Sequence, residues 1–207
     1  SKVPHGSAGT LASKFLKINK LYKNKKTEMK ILTPWPGCMK SVLNGKKEWK
    51  KYWDKFNNFR MFDLATIKNN NIYIHGRTDD VINIRGHRIG SEEIESIVLR
   101  VKEIYECCAI SIKNNLEGDV IYLFVISKNN KLDNQISKKI VSNFGTFALP
   151  KEIYYIDELP KTRSGKILRR LLRSIMINPN SKNYGDLSTM LNSKVIQDIK
   201  DKIVNNV

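Results

Sequence analysis

Apolar positions in this chain fall into helical stripes and short strand-like runs, and the change between them marks out its elements. Ile94, Ile97, Val98 and Val101 follow the i, i+3, i+4, i+7 spacing of a helix with one buried stripe. Gly90-Ser91 opens that helix, with Ser91 as N-cap and Glu92 and Glu93 in the first turn, where they complement the helix dipole. A second helix is predicted from Asp133 as cap, with Ile136, Ile140 and Phe144 on one face. A third covers residues 167–176, and a last one after the Asn178-Pro179-Asn180 break carries Val195, Ile199 and Ile203. Strands are predicted at residues 81–84, 106–113, 119–127 and 152–156, the second and third parted by an Asn-rich turn.

Residues 1–78 read differently. Residues 29–32 look like a strand, and Pro34-Trp35-Pro36-Gly37 is a rigid turn. Trp49, Tyr52, Trp53 and Phe56 suggest a helical face over residues 45–59, a stripe that is more often core than ligand site. Two strands, residues 62–65 and 71–75, follow around an Asn-rich turn. A domain boundary is expected at Asp79, with residues 1–78 and 79–207 on either side. No internal repeat is present.

Composition narrows the class. Of 207 residues, 41% are hydrophobic and 28% charged, the balance of a globular chain with a sizeable core. No apolar run approaches the roughly 18 residues of a membrane span, and residues 1–10 lack the charged and apolar regions of a signal peptide. The net charge of +17 suits anionic small substrates, or nucleic acid, or a solvated lysine-rich surface. Three cysteines, Cys38, Cys107 and Cys108, fit no metal or disulfide pattern, and buried reduced thiols are expected. Adjacent Cys107 and Cys108 should point to opposite faces of a strand. Among His5, His75 and His87 no metal-binding spacing exists.

The chemistry concentrates in Pro160-Lys161-Thr162-Arg163-Ser164-Gly165-Lys166, a glycine-containing turn that delivers a lysine just ahead of a basic helix. Upstream lie Asp63, Gly76-Arg77-Thr78-Asp79-Asp80-Val81, Arg85-Gly86-His87-Arg88 and Glu93-Ile94-Glu95-Ser96. Downstream lies Tyr184-Gly185-Asp186-Leu187-Ser188-Thr189. With the Trp-Pro-Gly turn, these motifs in this order resemble the adenylate-forming acyl-CoA synthetases, and the acetyl-CoA synthetase family within them.

The resemblance implies an α+β fold: a small C-terminal lid domain, its sheet flanked by helices, preceded by the β-rich tail of a large N-terminal domain. It implies a ligase that joins acetate to CoA with ATP through acetyl-AMP, releasing AMP and pyrophosphate. Lys166 is then the catalytic cation of adenylation, and Asp63, Arg77 and Arg88 hold ATP or AMP. Asp79 is the hinge, and Arg85 and Gly86 meet CoA. ATP, CoA and the Mg2+ that accompanies ATP are the implied cofactors, and no protein-bound metal site is read. A lysine acetyltransferase and deacetylase acting on Lys166 are implied partners, in the cytoplasm or the nucleus, with no membrane. Another short-chain ligase such as a propionyl-CoA synthetase is the nearest alternative. A basic nucleic-acid-binding module built on Lys161, Arg163, Lys166, Arg169, Arg170 and Arg173, or a catalytically degenerate lid, are others.

The chain also departs from the family. Arg85 stands where a serine is usual, Phe62 where a glycine precedes the ribose-binding aspartate, and Val141 where an arginine meets CoA phosphate. Leu99, Val101 and Ile104 occupy a cation site whose histidine is gone. The phosphate loop the family requires is not among these residues, so this chain alone is not expected to complete a turnover.

Overall fold

A computed structural model describes residues 3–11, 16–32, 35–43, 45–114 and 118–205. Pro34 of the expected Trp-Pro-Gly turn, and residues 115–117 of the turn between the two long strands, lie outside them. The chain divides into two compact units, Ser1–Asp80 and Val81–Val207.

The first unit is built on three antiparallel strands in the order β1 (Thr27–Ile31), β2 (Phe59–Lys68) and β3 (Asn71–Arg77). The turn between β2 and β3 places Asn69 and Asn70 at φ 50 and 60, the left-handed pair that hairpin twist favours and asparagine tolerates. Leu21, Met29, Ala65 and Ile72 form its small core.

The expected helix over residues 45–59 is a correction. Helix α1 covers Lys46–Lys51 and buries none of its residues. Beyond it the Asp54 carboxylate accepts the N–H groups of Phe56 at 2.8 Å and Asn58 at 3.0 Å, and Asn57 sits at φ 60. This Asx-type turn competes with the helix and reverses the chain. The Asn58 N–H and the Lys30 ammonium hold the Asp54 carboxyl below the usual carboxylate range. Trp53 then bridges Phe59, and Trp49, Tyr52, Trp53 and Phe59 pack ring on ring instead of lining one helical face. Phe56 is 72% exposed.

The second unit is a five-stranded sheet covered on both faces. Strands β4 (Val81–Ile84), β5 (His87–Gly90), β6 (Ile104–Asn114) and β7 (Gly118–Ser127) run antiparallel in the order β5-β4-β7-β6, and β8 (Glu152–Tyr155) joins β7 in parallel. Helices α2 (Ser91–Val98) and α3 (Asp133–Phe144) pack with Cys107, Ala109, Ile121 and Leu123. Helices α4 (Arg169–Ile177) and α5 (Val195–Asn205) pack with Cys108, Ile110 and Phe124. Alternation along β6 and β7 sends successive side chains into the two cores, so Cys107 and Cys108 face opposite ways. No helix among the described residues is long and apolar enough to cross a membrane.

Three local readings shift. Gly90, not Ser91, caps α2: its N–H donates to the Glu93 carboxylate at 3.0 Å, while the Ser91 hydroxyl is buried with no partner among the described residues. Asp133 is the first residue of α3, where its carboxylate accepts the Tyr155 hydroxyl at 3.0 Å. Helix α4 starts at Arg169 because Ile167 is drawn into a β-bridge with Lys161.

One ion pair ties the two layers together. Glu95 of α2 reaches the outer edge of β6, where it accepts the Ala109 N–H at 2.8 Å. Arg169 comes from the opposite face to meet the same carboxylate at 2.6 Å. Both side chains are largely buried, and that burial pushes the Glu95 carboxyl up although Arg169 opposes the shift. Removing one member of such a pair strands the other charge. Glu95→Ala should therefore cost about 3 kcal/mol in urea unfolding, and a loss within experimental error would show the pair to be dispensable. Burial, with Glu95 nearby, pushes the Cys107 thiol up to about 12, and burial pushes Cys108 up as well. At pH 8 a thiol reagent should label partly exposed Cys38 in the native chain, and Cys107 and Cys108 on unfolding alone.

Candidate functional site

The lysine loop is a tight hairpin held from within. Lys161 and Ile167 bridge, the Thr162 N–H donates to the Lys166 carbonyl at 2.9 Å, and the Gly165 N–H donates to the Thr162 carbonyl at 2.9 Å. The Lys166 N–H in turn donates to the Thr162 hydroxyl at 3.1 Å. Gly165 turns the chain at φ +83, a left-handed conformation that L side chains rarely adopt. The two lysines of the loop differ in state. Lys161 is clamped by the Glu106 carboxylate of β6 at 2.5 Å. Lys166 is exposed, and among the described residues no side-chain or backbone group pairs with its ammonium. A mobile, uncommitted cation on a fixed backbone is what an approaching anion needs.

A second group of residues sits on the β4–β5 hairpin. Arg85 and Gly86 form its two-residue turn at φ 47 and 84, and no atom lies within 4 Å of where a Gly86 Cβ would be. That backbone is open to close approach by a ligand. Arg88 stands on β5 opposite Asn83 and is exposed. Behind the turn, Arg85, Asn114, Thr146, Phe147, Leu149 and Lys151 help line a cleft of about 310 Å³, with His87 stacked on Phe147 at 3.9 Å.

The β6–β7 ribbon sets how far apart these groups lie. Ile84 pairs with Gly118 at one end of β7, while Glu106, which grips the lysine loop, pairs with Ile126 at the other. Eight residues of strand separate the two anchor points, roughly 26 Å at 3.3 Å per residue. Lys166 and the Arg85-Gly86 turn thus mark opposite ends of the unit.

In the first unit, Asp63 and Arg77 face each other across β2 and β3, with Nη1 and Oδ1 3.7 Å apart. A bulge at Asp63 and Phe62 at φ 62 bend β2 there. A left-handed non-glycine residue costs on the order of 1 kcal/mol. The Phe62 ring lies under the guanidinium groups of Arg60, at 4.6 Å, and Arg77, at 5.7 Å, and meets Tyr52 edge-on. Each cation–π contact is worth about 0.5–1 kcal/mol at an exposed site, enough to offset the strain. Asp79 lies in a 3₁₀ turn, Thr78–Asp80, between β3 and β4, and its side chain is outside the described residues.

Sequence reasoning missed the groups that hold these loops. Glu106 and Glu95 are ordinary surface acids by pattern, since the contacts that recruit them span 55 and 74 residues. The basic cluster offered for nucleic acid is likewise divided, with Lys161 and Arg169 committed to those two carboxylates. Among the described residues no His, Cys, Asp and Glu cluster could hold a metal ion. Val101 and Ile104 are buried in the core.

Residues 93–166, which run from helix α2 to the exposed lysine of the loop, match the AMP-binding enzyme C-terminal domain. By sequence the chain is similar to the C-terminal part of acetyl-CoA synthetases. It is 36% identical over 184 residues to acetyl-coenzyme A synthetase of Penicillium chrysogenum, covering 84% of this chain and 26% of the relative. It is 35% identical over 179 residues to that of Leptospira biflexa, covering 83% and 27%. The chain therefore spans about a quarter of the length of the curated relatives it matches. Among solved structures, acetoacetyl-CoA synthetase from Streptomyces lividans superposes with a TM-score of 0.74 at 18% identity, over 93% of this chain and 31% of the other. That likeness bears on the α+β fold.

Proposed function

We propose that this segment works as the C-terminal part of an AMP-forming acetate–CoA ligase. Acetate and ATP give acetyl-AMP and pyrophosphate, and CoA then takes the acetyl group, releasing AMP. The observation that carries this reading is the placement of Lys166 and the Arg85-Gly86 turn at opposite ends of one ribbon. A single rigid lid cannot present both ends to one substrate at once, so two chemical steps call for two lid orientations. The sequence similarity to acetyl-coenzyme A synthetases supplies the substrates.

In this reading Val81–Val207 is the lid and Ser1–Asp80 the end of the adenylating domain, with Asp79 at the hinge between β3 and β4. Asp63 accepts hydrogen bonds from the ribose hydroxyls, and Arg77 and Arg88 hold nucleotide and phosphate with planar donor forks. Lys166 carries positive charge to the carboxylate and α-phosphate oxygens as negative charge builds there. Mg2+ accompanies ATP. After rotation, Arg85 and Gly86 flank the incoming pantetheine, Gly86 by its bare backbone. Acetylation of Lys166 would remove the adenylation charge and leave the second step untouched. The resemblance extends to a cytoplasmic or nuclear setting, and a propionate-type ligase would use the same lid.

The test is acetate-dependent ATP–pyrophosphate exchange by the complete polypeptide that carries this segment. Lys166→Ala should lower exchange by about a hundredfold or more while thioester formation from supplied acetyl-AMP stays within about twofold. Equal loss of both halves would overturn the division of labour between the two ends.

A further inference from the structure

The motif Gly185-Asp186-Leu187-Ser188-Thr189 has no part in the chemistry above, yet the structure lays it against the lysine loop. Gly185 turns the chain at φ +89, and its N–H donates to the Asn183 side chain at 2.8 Å. The Asp186 carboxylate then accepts the Ser188 N–H at 2.9 Å, and the Met190 N–H donates to the Leu187 carbonyl at 2.9 Å. These two turns bring residues 189–191 up as a short bridging piece centred on Met190. It adds a third strand to the loop hairpin: the Arg163 N–H donates to the Thr189 carbonyl at 3.0 Å, and the Leu191 N–H donates to the Lys161 carbonyl at 2.9 Å. Met190 bridges Thr162 and is buried in the core that Leu159 shares, with Ile167 and Leu168 packed against it. Asn192 ties the same piece to Glu158 at 2.8 Å.

Thr162 is the middle of a three-strand ribbon. On one side it faces Met190, and on the other its N–H and hydroxyl hold the carbonyl and N–H of Lys166. The loop is also gripped by Glu106 through Lys161. Backbone on one side and an ion pair on the other leave the loop little freedom, while the Lys166 ammonium stays uncommitted. We propose that the Gly185–Leu191 tail is a positioning strand for Lys166, setting where its ammonium can reach during adenylation and taking no part in thioester formation. This rests on the ligase reading above. A displacement of about 1 Å at a charge-stabilising group can cost a hundredfold in rate, so a backbone clamp is a fitting way to hold it.

Leu191→Pro tests the clamp with little collateral loss. It removes the N–H that bonds Lys161, and the Leu191 side chain is 63% exposed, so no core contact is lost. Leu191→Ala keeps the N–H and should match the wild type. In the complete polypeptide, Leu191→Pro should lower kcat for pyrophosphate exchange by about tenfold or more, leaving KM for ATP and the rate of thioester formation from acetyl-AMP unchanged. In the 207-residue chain, hydrogen exchange at the Arg163 and Lys166 amides should quicken by a similar factor. If the proline variant does not fold, Asp186→Ala, which removes the acceptor of the exposed Ser188 turn, should show the same pattern. Equal loss in both half-reactions would make the tail a stabiliser of the whole lid and overturn the proposal. Unchanged rates and unchanged amide exchange would overturn it too. Absence of exchange in the wild type would instead sink the ligase reading, with the amide measurement still deciding on the clamp.

Discussion

The Glu95 carboxylate is the point on which the second unit turns. It takes the outward N–H of Ala109 on the edge strand β6 and the guanidinium of Arg169 from the far side of the sheet. An edge strand otherwise presents such groups to any pairing partner. The pair also joins α2, in one core, to the start of α4, in the other. Burial raises the Glu95 carboxyl, so the arrangement is held at a desolvation cost. Its service is geometric. It pins the first residue of α4, and α4 begins directly after the lysine loop.

From that anchor the loop inherits a defined place. The Glu106–Lys161 pair fixes one flank, the Lys161–Ile167 bridge closes the hairpin, and the segment around Met190 backs the other flank. Pairing off one lysine and leaving the next uncommitted separates a structural cation from an exposed one five residues away. At the opposite end of the ribbon, Gly118 approaches the Asn83 carbonyl so closely that a Cβ would come within 3.0 Å. The β4–β5 hairpin can dock there because that position is glycine.

Phe62 shows how a departure from family pattern is accommodated. The backbone keeps the left-handed turn a glycine takes without strain, and two arginines stack on the ring that replaced it. One of them is Arg77, which faces Asp63, so Phe62 is bound into the geometry of that pair.

Much of this was legible from residue order. The continuous apolar runs gave β6 and β7, the period-3.6 stripes gave α2, α3 and α5, and the adjacent cysteines marked a strand with two buried faces. Local chemistry also sufficed for the Asn69-Asn70 turn and the Gly165 turn, because those conformations are set by a few neighbouring atoms. It failed at residues 45–59, where Asp54 captured two backbone N–H groups that the aromatic spacing had promised to a helix. It failed at Ser91 and Ile167, where the outcome depends on contacts outside the window. By itself the sequence determined most of the elements and the similarity to acetyl-CoA synthetases, since apolar pattern and motif order are properties of the chain. Tertiary structure alone decided which lysine is free, which acids hold the loop and what the 184–191 motif touches. Those choices rest on partners dozens of residues away, brought within 3 Å of one another by packing that no local pattern records.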